Sequence, residues 1–304
     1  MRGKPADIAA ELPRDVVAAV GLPATATRVG GAGGPGSFRV EGPQGTVFYK
    51  RAIHPRELEW HRRAQRKEAA LAAAGCWTAP LVASGAVPAP WVALGWAGSP
   101  WPQERWGGTE MLAALAAWHR AAPIWQGPPE QDYAFSWDAA LTRDALAACP
   151  AGSRADLRAQ WQDLAAEAAL RLFGSEASAI HGDPNPTNWV VAPPAEVPGA
   201  GDRLVLLDWS RAGRAHPAVD VAIALPGLPS PERAARAAAA YLAARGDGGP
   251  GRAAEWAGLI LKAKLWSAVE FLAMATRREL SADAASGLAM LRQSLPRWCA
   301  AALH

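Results

Sequence analysis

The sequence predicts an α+β fold of two lobes, a small antiparallel-sheet N-lobe and a mostly helical C-lobe. Residues 26–52 alternate like short strands separated by glycine-rich turns, and helical runs that begin at capping residues follow from residue 109 onward. With 304 residues, half of them hydrophobic, the chain can bury the core of one large domain or of two lobes. We therefore expect the N-lobe over residues 1–97 and the C-lobe over residues 98–304.

The N-lobe pattern starts with three strands and continues with a helix. Residues 26–52 fit strand, loop, strand, turn, strand, with a hairpin turn at residues 42–45. Residues 56–74 form a single helical pattern that ends at Gly75. Residues 91–94 then fit a further strand of the same sheet.

A glycine-rich loop lies between the first two predicted strands. It contains a Gly-x-Gly-x-x-Gly motif at Gly31, Gly33 and Gly36. A dinucleotide-binding fold needs a helix directly after this motif, whereas residues 37–40 alternate like a strand. The pattern favours a loop that covers phosphates. Because Pro35 donates no N–H, a merely flexible loop is the alternative.

The C-lobe pattern consists of helices with one long connection. Capping residues predict helices that begin at Thr109, Ser136, Ser153 and Ser230. Two further helices are expected within residues 251–295. The Pro-, Gly- and Ala-rich residues 193–202 are expected to form an enlarged hairpin loop between two short strands.

Composition excludes several classes of function. The net charge is only +3, and the basic stretch at residues 61–67 has no interleaved aromatic residues, so we expect no nucleic-acid partner. Cys76, Cys149 and Cys299 are isolated, without zinc-ligand spacing, which suits a reducing interior. The most apolar window, residues 81–101, contains several Pro and Gly and could not span a bilayer as a helix. We expect a cytoplasmic protein without a membrane partner, and the sequence does not indicate an oligomeric state.

The most informative segment is residues 181–188, which read His-Gly-Asp-Pro-Asn-Pro-Thr-Asn. Asp183 can accept the proton of an attacking hydroxyl, and Asn188 can hold a metal. Asp208 follows an apolar run twenty residues later and can supply a second metal contact. Phosphoryl transfer by kinases uses these parts in this order, an H-x-D-x-x-x-x-N loop followed by an Asp at a strand end. The chain has no G-x-x-x-x-G-K-[ST] motif, which excludes a P-loop mechanism.

These motifs resemble the aminoglycoside phosphotransferase and choline kinase superfamily, a protein-kinase-like fold that acts on small molecules. The family pattern is H-G-D-x-x-x-x-N, followed by two Asp residues twelve positions apart, and Asp208 and Asp220 keep this spacing. The D-x-x-R-x-G-x-A form found in aminoglycoside kinases is matched by Arg211, Gly213 and Ala215. The match is firm over residues 180–222.

The resemblance implies ATP and Mg²⁺ as cofactors, and it implies supporting roles for two residues. His181 would fix the loop without transferring a proton, although an ordinary half-buried histidine is the alternative. Asp220 would steady the loop from below, although it could also cap the helix that follows. By the same resemblance, residues 95–100 would form a hinge between the lobes whose backbone pairs with adenine.

Lys50 is assigned to the ATP phosphates by analogy with the lysine of the third kinase strand. It is one of only five Lys and ends the β-rich run at residues 46–50. Three residues compete for the ion pair with this lysine, namely Glu57, Glu59 and Glu68. The spacing in the resembled family selects Glu68, while a surface pair with Arg is the alternative for Glu59 or Glu68.

The sequence therefore suggests an ATP- and Mg²⁺-dependent kinase that phosphorylates a hydroxyl of a small molecule. Only eleven residues separate Asp208 from Asp220, without an A-P-E motif, so there is no long segment to dock a protein substrate. The alternative is a kinase-like nucleotide-binding regulatory protein with little turnover. It is suggested by Pro35 and by Ser210, which stands where the family often has an acidic residue.

The charge of the C-terminal part bears on the acceptor. Residues 211–304 contain seven Asp and Glu against twelve Lys and Arg, which argues against polycationic aminoglycosides. A quaternary amine would need an aromatic cage, for which Trp256, Trp266, Phe271 and Trp298 are available, but Trp at such spacing usually belongs to a helix core. A neutral or anionic sugar, amino acid or antibiotic suits the arginine-rich lobe better.

Overall fold

The N-terminal region is a five-stranded antiparallel sheet. The computed structural model describes residues 11–29, 36–174, 177–192, 203–277, 279 and 285–303. The strands are β1 (Thr25–Arg28), β2 (Ser37–Gly42), β3 (Gly45–Arg51), β4 (Leu81–Gly85) and β5 (Trp91–Gly95). Their order in the sheet is β1-β2-β3-β5-β4, and the β2–β3 hairpin closes between Gly42 and Gly45 as the sequence predicts.

The two faces of this sheet pack against different partners. Side chains alternate along β3, so Val47 and Tyr49 pack on the face that carries α1 (Arg14–Val20). Phe48 lies on the opposite face, in a cluster that includes Val205 of the C-terminal region. Lys50 follows the same alternation, which places it on the side of the sheet that faces the C-terminal region.

Two helices, and not one, follow β3. They are α2 (Pro55–Arg66) and α3 (Glu68–Ala73), and the chain bends between them at Lys67, where φ is −114° and ψ is 11°. The predicted single helix over residues 56–74 was wrong at this point. Lys is a good helix former, so the sequence carries no signal for the bend. The bend lets α3 bury Leu71 in the main core.

Eight helices are described in the C-terminal region, which is the larger part of the structure. They are α4 (Thr109–Arg120), α5 (Ala122–Trp125), α6 (Ala139–Ala148), α7 (Arg154–Arg171), α8 (Ala218–Ala224), α9 (Pro231–Arg245), α10 (Pro250–Thr276) and α11 (Ala285–Ala302). The long α10 packs against α6, α8 and α9. Fully buried aromatic side chains, among them Trp118, Trp161 and Trp266, fill the core that these helices share. Sheet and helices together confirm the predicted α+β class, while the lobe boundary at residue 97 stays a prediction.

Of the four predicted helix caps, the structure confirms one. Ser230 accepts a hydrogen bond from the backbone N–H of Arg233 and caps α9. Asp138, and not Ser136, caps α6 through the N–H of Leu141 at 2.7 Å. The side chains of Thr109 and Ser153 cap nothing: Thr109 is the first residue of α4, and Ser153 makes no capping bond to α7.

Two small sheets, built mainly from strands between α7 and α8, hold the segments of chemical interest. One pairs β7 (Ser178–Ile180) with β10 (Gly213–Ala215). The other has the order β6-β8-β9, where β6 is Ser99–Pro100, β8 is Trp189–Ala192 and β9 is Arg203–Leu206. The predicted hairpin loop at residues 193–202 lies outside the described residues. None of the described helices has both the length and the apolar character that a membrane crossing requires.

Candidate active site

Residues 181–188, which we call the HGD loop, connect β7 to β8. A short 3₁₀ turn at Pro186–Asn188 ends the loop, and the Asn185 side chain accepts from the Thr187 N–H at 3.1 Å. The two prolines of the loop restrict φ, and the turn brings Asn188 back beside Asp183, whose backbone carbonyl accepts from Asn188 Nδ2 at 2.9 Å. The loop is therefore fixed by its own hydrogen bonds.

A buried carboxylate anchors the start of this loop. Asp220 is fully buried in α8 and accepts the backbone N–H groups of His181 and Gly182, each at 2.8 Å. The Nε2 atom of His119 lies 2.9 Å from the same carboxylate, and its Nδ1 atom lies 2.7 Å from the Tyr241 hydroxyl. Several hydrogen bonds thus offset the cost of burying this carboxylate beneath the loop.

Gly182 occupies a position that only glycine fits. Its φ is +84°, and a Cβ atom there would lie 2.2 Å from the Arg211 carbonyl oxygen. The close approach brings the HGD loop against the segment that follows Asp208.

His181 ties the loop to the end of β9. Its Nε2 atom donates to the Leu207 carbonyl at 3.0 Å, and its Nδ1 atom accepts from the Asp183 N–H at 3.1 Å. Burial lowers the pKa of His181 to about 4, although Asp220 and Asp208 oppose the shift. The ring is therefore neutral at neutral pH, and both nitrogens are used in holding the backbone.

Asp183 presents a free carboxylate. Its side chain is half-buried, and no described residue donates a hydrogen bond to its two carboxylate oxygens. Burial raises the pKa of Asp183 to about 7, and Asp208 and Glu270 act in the same direction against the opposing charge of Arg211. Such a carboxylate can accept a proton near neutral pH.

Lys50 joins two carboxylates from different parts of the chain. Its Nζ atom donates to Glu57 Oε1 and to Asp208 Oδ1, both at 2.8 Å. Burial disfavours the ammonium charge, but the two carboxylates outweigh it and raise the pKa of Lys50. Burial also disfavours the charged form of Asp208 and would raise its pKa. The positive charge and hydrogen bond of Lys50 outweigh this effect and lower the pKa of Asp208 to about 2. Asp208 is therefore ionised throughout the physiological range.

The predicted pairing of Lys50 with Glu68 was wrong. Glu57 in the first turn of α2 is the partner and is only 2% exposed, whereas Glu68 is exposed at the start of α3. Glu59 pairs with Arg62 on the surface. The short connection between β3 and α2 places the first helical turn, and not the last, beside the end of β3. Helical spacing could have indicated this, because residues 57, 61 and 64 share the buried face of α2.

The two predicted metal ligands lie beside each other. Asn188 immediately precedes β8 and Leu207 immediately follows β9, and the Leu207 N–H donates to the Asn188 carbonyl at 2.8 Å. Asp208 is the next residue. Asn188 Oδ1 makes no hydrogen bond within the described residues. Lys50 bonds one of the two carboxylate oxygens of Asp208, and the Ser210 side chain also donates to this carboxylate. Oxygen donors of this kind suit a hard divalent cation.

These two residues cannot surround a metal by themselves. No group of three or more His, Cys, Asp or Glu that could hold a metal ion occurs among the described residues. The donor set therefore fits a cation that receives most of its ligands from a bound phosphate compound.

A second cluster, of which the sequence marked only Arg211, lies near Asp183. Arg211 forms an ion pair with Glu270 of α10, and the Tyr133 hydroxyl donates to the same carboxylate at 3.0 Å. The Arg211 guanidinium also lies 4.6 Å from the centre of the Tyr133 ring. These residues line a cavity of about 320 Å³. The motif match marked Arg211, but its partners come from distant parts of the chain.

A larger cavity of about 480 Å³ adjoins the HGD loop at Asn185. Lys264 of α10 lies in its wall, and its Nζ atom donates to the Leu225 carbonyl at 2.7 Å. Burial lowers the pKa of Lys264 to about 7, and nearby Arg233 adds to the shift. Nothing in the sequence distinguished this lysine from Lys262, two residues earlier in the same helix.

The predicted nucleotide-binding loop is described only in part. Gly36 directly precedes β2, while Gly31 and Gly33 lie outside the described residues. In the predicted hinge, the backbones of Trp96 and Ala97 form no hydrogen bond with another described residue. No other residue in the described part of the chain therefore competes with a ligand for these backbone groups.

Comparison with known proteins identifies the fold. The chain resembles solved structures of a microcompartment-associated aminopropanol kinase (TM-score 0.67, 16% identity, 91% of each chain covered) and an amicoumacin kinase (TM-score 0.59, 13% identity, 90% of this chain and 88% of that chain). It also resembles aminoglycoside 2′-phosphotransferase-IIIa, with a TM-score of 0.57, 13% identity, and coverage of 89% of this chain and 91% of that one. These likenesses show a kinase-like fold. No curated protein sequence matches the chain.

A family model gives the more specific result. The model of the phosphotransferase enzyme family matches residues 38–256, well over half of the chain. The matched range contains Lys50, the HGD loop, Asp208 and Asp220. The chain therefore belongs to the phosphotransferase enzyme family.

Proposed function

We propose that this protein transfers the γ-phosphoryl group of ATP to a hydroxyl of a small molecule, with Mg²⁺ as the metal. The observation that carries the proposal is the convergence of a lysine from the N-terminal sheet on Asp208, beside Asn188 and Asp183. Each of these groups has the chemistry that one part of phosphoryl transfer requires. Family membership supports the reaction class.

The nucleotide would lie against the face of the sheet that carries Lys50. We propose that the Lys50 ammonium, now held by Asp208 and Glu57, binds the phosphates of ATP, and that Glu57 keeps it in place. The backbones of Trp96 and Ala97 would pair with adenine. The amicoumacin kinase of similar fold was solved with AMP-PNP and Ca²⁺, which supports a nucleotide and a divalent cation here.

Asn188 and Asp208 would hold Mg²⁺ through their side-chain oxygens. When bound, the ion would neutralise charge on the phosphates. The low pKa of Asp208, about 2, keeps this ligand ionised. His181 and Asp220 would act by fixing the backbone of the HGD loop, since Asp220 accepts the N–H groups of His181 and Gly182 and the His181 ring bonds the backbones of Asp183 and Leu207.

Asp183 would orient the acceptor hydroxyl and take its proton. Its free carboxylate oxygens and its pKa of about 7 suit a general base that works near neutral pH. Arg211 lies close enough to Asp183 for its charge to oppose the rise in the Asp183 pKa. The same positive charge would stabilise negative charge at the reacting centre.

The acceptor is expected to be a small molecule and not a protein. The residues between Asp208 and Asp220 form a 3₁₀ turn at Trp209–Arg211, the short strand β10 and the start of α8. This compact connection leaves no extended segment on which a peptide could dock. The similar structures act on small molecules according to their names, aminopropanol, amicoumacin and an aminoglycoside.

Calorimetric titration with ATP tests the nucleotide and metal part of the proposal. We expect binding in the presence of Mg²⁺ that weakens about tenfold or more when a chelator is added, or when Asp208 is replaced in Asp208→Asn. Asp247→Asn, which removes a surface carboxylate paired with Arg245, is the matched control and should bind like the native protein. ATP affinity that does not respond to chelator or to Asp208→Asn would refute the proposed metal site.

A further inference from the structure

The cavity that adjoins the HGD loop has the position and size of an acceptor site. We call it the Lys264 cavity, and its polar lining consists of Asn185, Lys264, Ser267 and Ser294. Its volume of about 480 Å³ lies within the range of small-molecule sites, which is roughly 300–1,000 Å³. Asn185 is two residues from Asp183, and two residues of extended chain span at most about 7 Å. Asp183 is not part of the lining, and a small molecule that fills this cavity would extend a hydroxyl past Asn185 toward it.

Lys264 is a buried cation that meets no carboxylate among the described residues. Its side chain is only 8% exposed, and its single hydrogen bond among the described residues goes to the Leu225 carbonyl. Lysine is almost never buried to this degree unless it is paired with a carboxylate. Arg233, the other charged group that acts on it, is also positive and, together with burial, lowers the pKa of Lys264 to about 7.

The rest of the cavity lining does not supply the missing charge. No Asp or Glu is found among its described residues, and its apolar wall includes Leu228, Phe271 and Met290. The nearest acidic residue along α10 is Glu270, but its carboxylate already accepts from Arg211 and Tyr133. Within the described lining, nothing compensates the ammonium form of Lys264, so a bound oxyanion would stabilise that form and a bound ammonium group would be repelled by it.

We propose that the acceptor is a hydroxylated oxyanion, whose anionic group binds Lys264 in this cavity while its hydroxyl lies at Asp183. The proposal rests on the function proposed above and adds the substrate class to it. In the reaction, the acceptor oxygen forms a bond to the γ-phosphorus and its proton passes to Asp183. The bond from that phosphorus to the β–γ bridging oxygen breaks, and ADP leaves with the electron pair.

Three probes of equal chain length separate charge from size, namely hydroxyhexanoate, hexanediol and aminohexanol. Ligand-observed NMR with the full chain measures their binding without requiring turnover. We expect hydroxyhexanoate to bind at least about tenfold more tightly than either of the other probes, because a hydrogen bond to a charged group is worth roughly that much.

Two variants on the same helix complete the experiment. Lys264→Met keeps the apolar length of the side chain and should weaken hydroxyhexanoate binding by roughly 10- to 100-fold. Lys262→Met is the matched control, because Lys262 pairs with Glu167 outside the cavity, and it should bind the probe like the native protein. The comparison of probes on the native protein remains decisive if Lys264→Met does not fold.

Equal binding of the three probes, stronger binding of aminohexanol, or no binding of hydroxyhexanoate at millimolar concentration would overturn the proposal. Unchanged binding in folded Lys264→Met would overturn it as well. If the proposed function itself is wrong, the calorimetric titration will show no metal-dependent ATP binding. The two outcomes can therefore be told apart.

Discussion

Asp183 and Asp208 belong to one site, yet their surroundings shift their proton affinities in opposite directions. Burial raises the pKa of Asp183 to about 7, while Lys50 overcomes burial at Asp208 and lowers its pKa to about 2. A carboxylate that is always ionised suits a metal ligand, and one that titrates near neutral pH suits a base. The proposed roles are therefore consistent with the environment of each residue.

Asp183→Asn should reduce phosphoryl transfer by about 10²- to 10⁴-fold, because the amide cannot accept the proton of the acceptor hydroxyl. Steady-state ADP release with an accepted substrate measures the loss. Asp183 is not placed at the nucleotide, so ATP binding by calorimetry should be unchanged and serves as the control. Near-native turnover in the variant would remove Asp183 from the mechanism.

Lys264 gives a prediction for stability against pH. Its pKa is about 7 in the folded protein and about 10.4 in an unfolded chain, so between these values the unfolded state holds more protons and stability rises with pH. Below pH 7 Lys264 is charged in the folded protein as well, and the free-energy cost of its buried ammonium reaches its maximum. Lys264→Met removes this cost, on the order of a few kcal/mol, so its unfolding free energy should gain most over the native protein below pH 7.

Urea unfolding from pH 6 to pH 10 measures that difference, with Lys262→Met as the control. The gain of Lys264→Met over the native protein should shrink as pH rises. A difference that stays constant over this range would show that the ammonium of Lys264 carries no such cost.

At the scale of elements, α2 connects the N-terminal sheet to the segment that contains Asp208. Glu57 of α2 shares Lys50 with Asp208. Trp60, one turn further along α2, stacks on Trp209 with ring centres 3.7 Å apart and planes inclined by 9°. The helix therefore holds both Lys50 and the residue next to Asp208.

Glu57→Gln should weaken ATP binding and reduce turnover, because Lys50 loses one of the two carboxylates that position it. We expect a loss of roughly tenfold, as for a hydrogen bond to a charged group. Glu68→Gln is the matched control, since Glu68 is exposed on α3, and it should behave like the native protein. Steady-state kinetics and calorimetry measure both variants. A larger loss in Glu68→Gln than in Glu57→Gln would favour the pairing of Lys50 with Glu68 that the family spacing predicted.

The sequence could predict those parts of the site that are close together along the chain. Asp183 and Asn188 lie in one loop, and their spacing alone predicts that they cooperate. The strand pattern before Asp208 and around Lys50 placed both residues at strand ends, where the structure has them.

The sequence could not predict the parts that depend on how helices lie on the sheet. The choice of Glu57 over Glu68 depends on the bend at Lys67, which no residue type signals. The clusters around Glu270 and Lys264 depend on which face of α10 meets the HGD loop, and a buried helix offers no polar face to indicate its orientation.

At the scale of the whole molecule, charge limits the acceptors that the protein can use. The C-terminal part contains more basic than acidic residues, and the Lys264 cavity has no acidic residue in its described lining. Glu270, which could have attracted an ammonium group, is already paired with Arg211. The field near the HGD loop therefore disfavours a polycation.

Kanamycin-like aminoglycosides should consequently be poor substrates. Electrostatic steering in a cleft lined by charges of one sign alters association rates by roughly 10- to 10³-fold, and salt screens it. Raising the salt concentration should therefore reduce the difference in kcat/KM between cationic and anionic acceptors. Steady-state kinetics at two ionic strengths measures this. A kcat/KM of about 10⁴ M⁻¹s⁻¹ or more for an aminoglycoside, within the ordinary enzymatic range, would refute the prediction.

The proposed site combines residues from two regions of the chain. Lys50 and the hinge residues come from the N-terminal sheet and its end, while Asp183, Asn188 and Asp208 come from the C-terminal region. A nucleotide bound between them would direct its terminal phosphate toward the acceptor hydroxyl that Asp183 is proposed to orient. A regulatory protein that binds nucleotide without turnover could have the same arrangement. Formation of a phosphorylated product therefore distinguishes a kinase from such a regulatory protein.

The most direct measurement is phosphorus NMR of the purified protein with ATP, Mg²⁺ and a panel of hydroxy acids, sugars, amino alcohols and antibiotics. We predict a new phosphate ester with at least one hydroxylated compound, formed in equal amount to ADP, and absent with chelator or with Asp183→Asn. Metal-dependent ATP binding without an ester from any compound, or ADP accompanied only by inorganic phosphate, would contradict a small-molecule kinase.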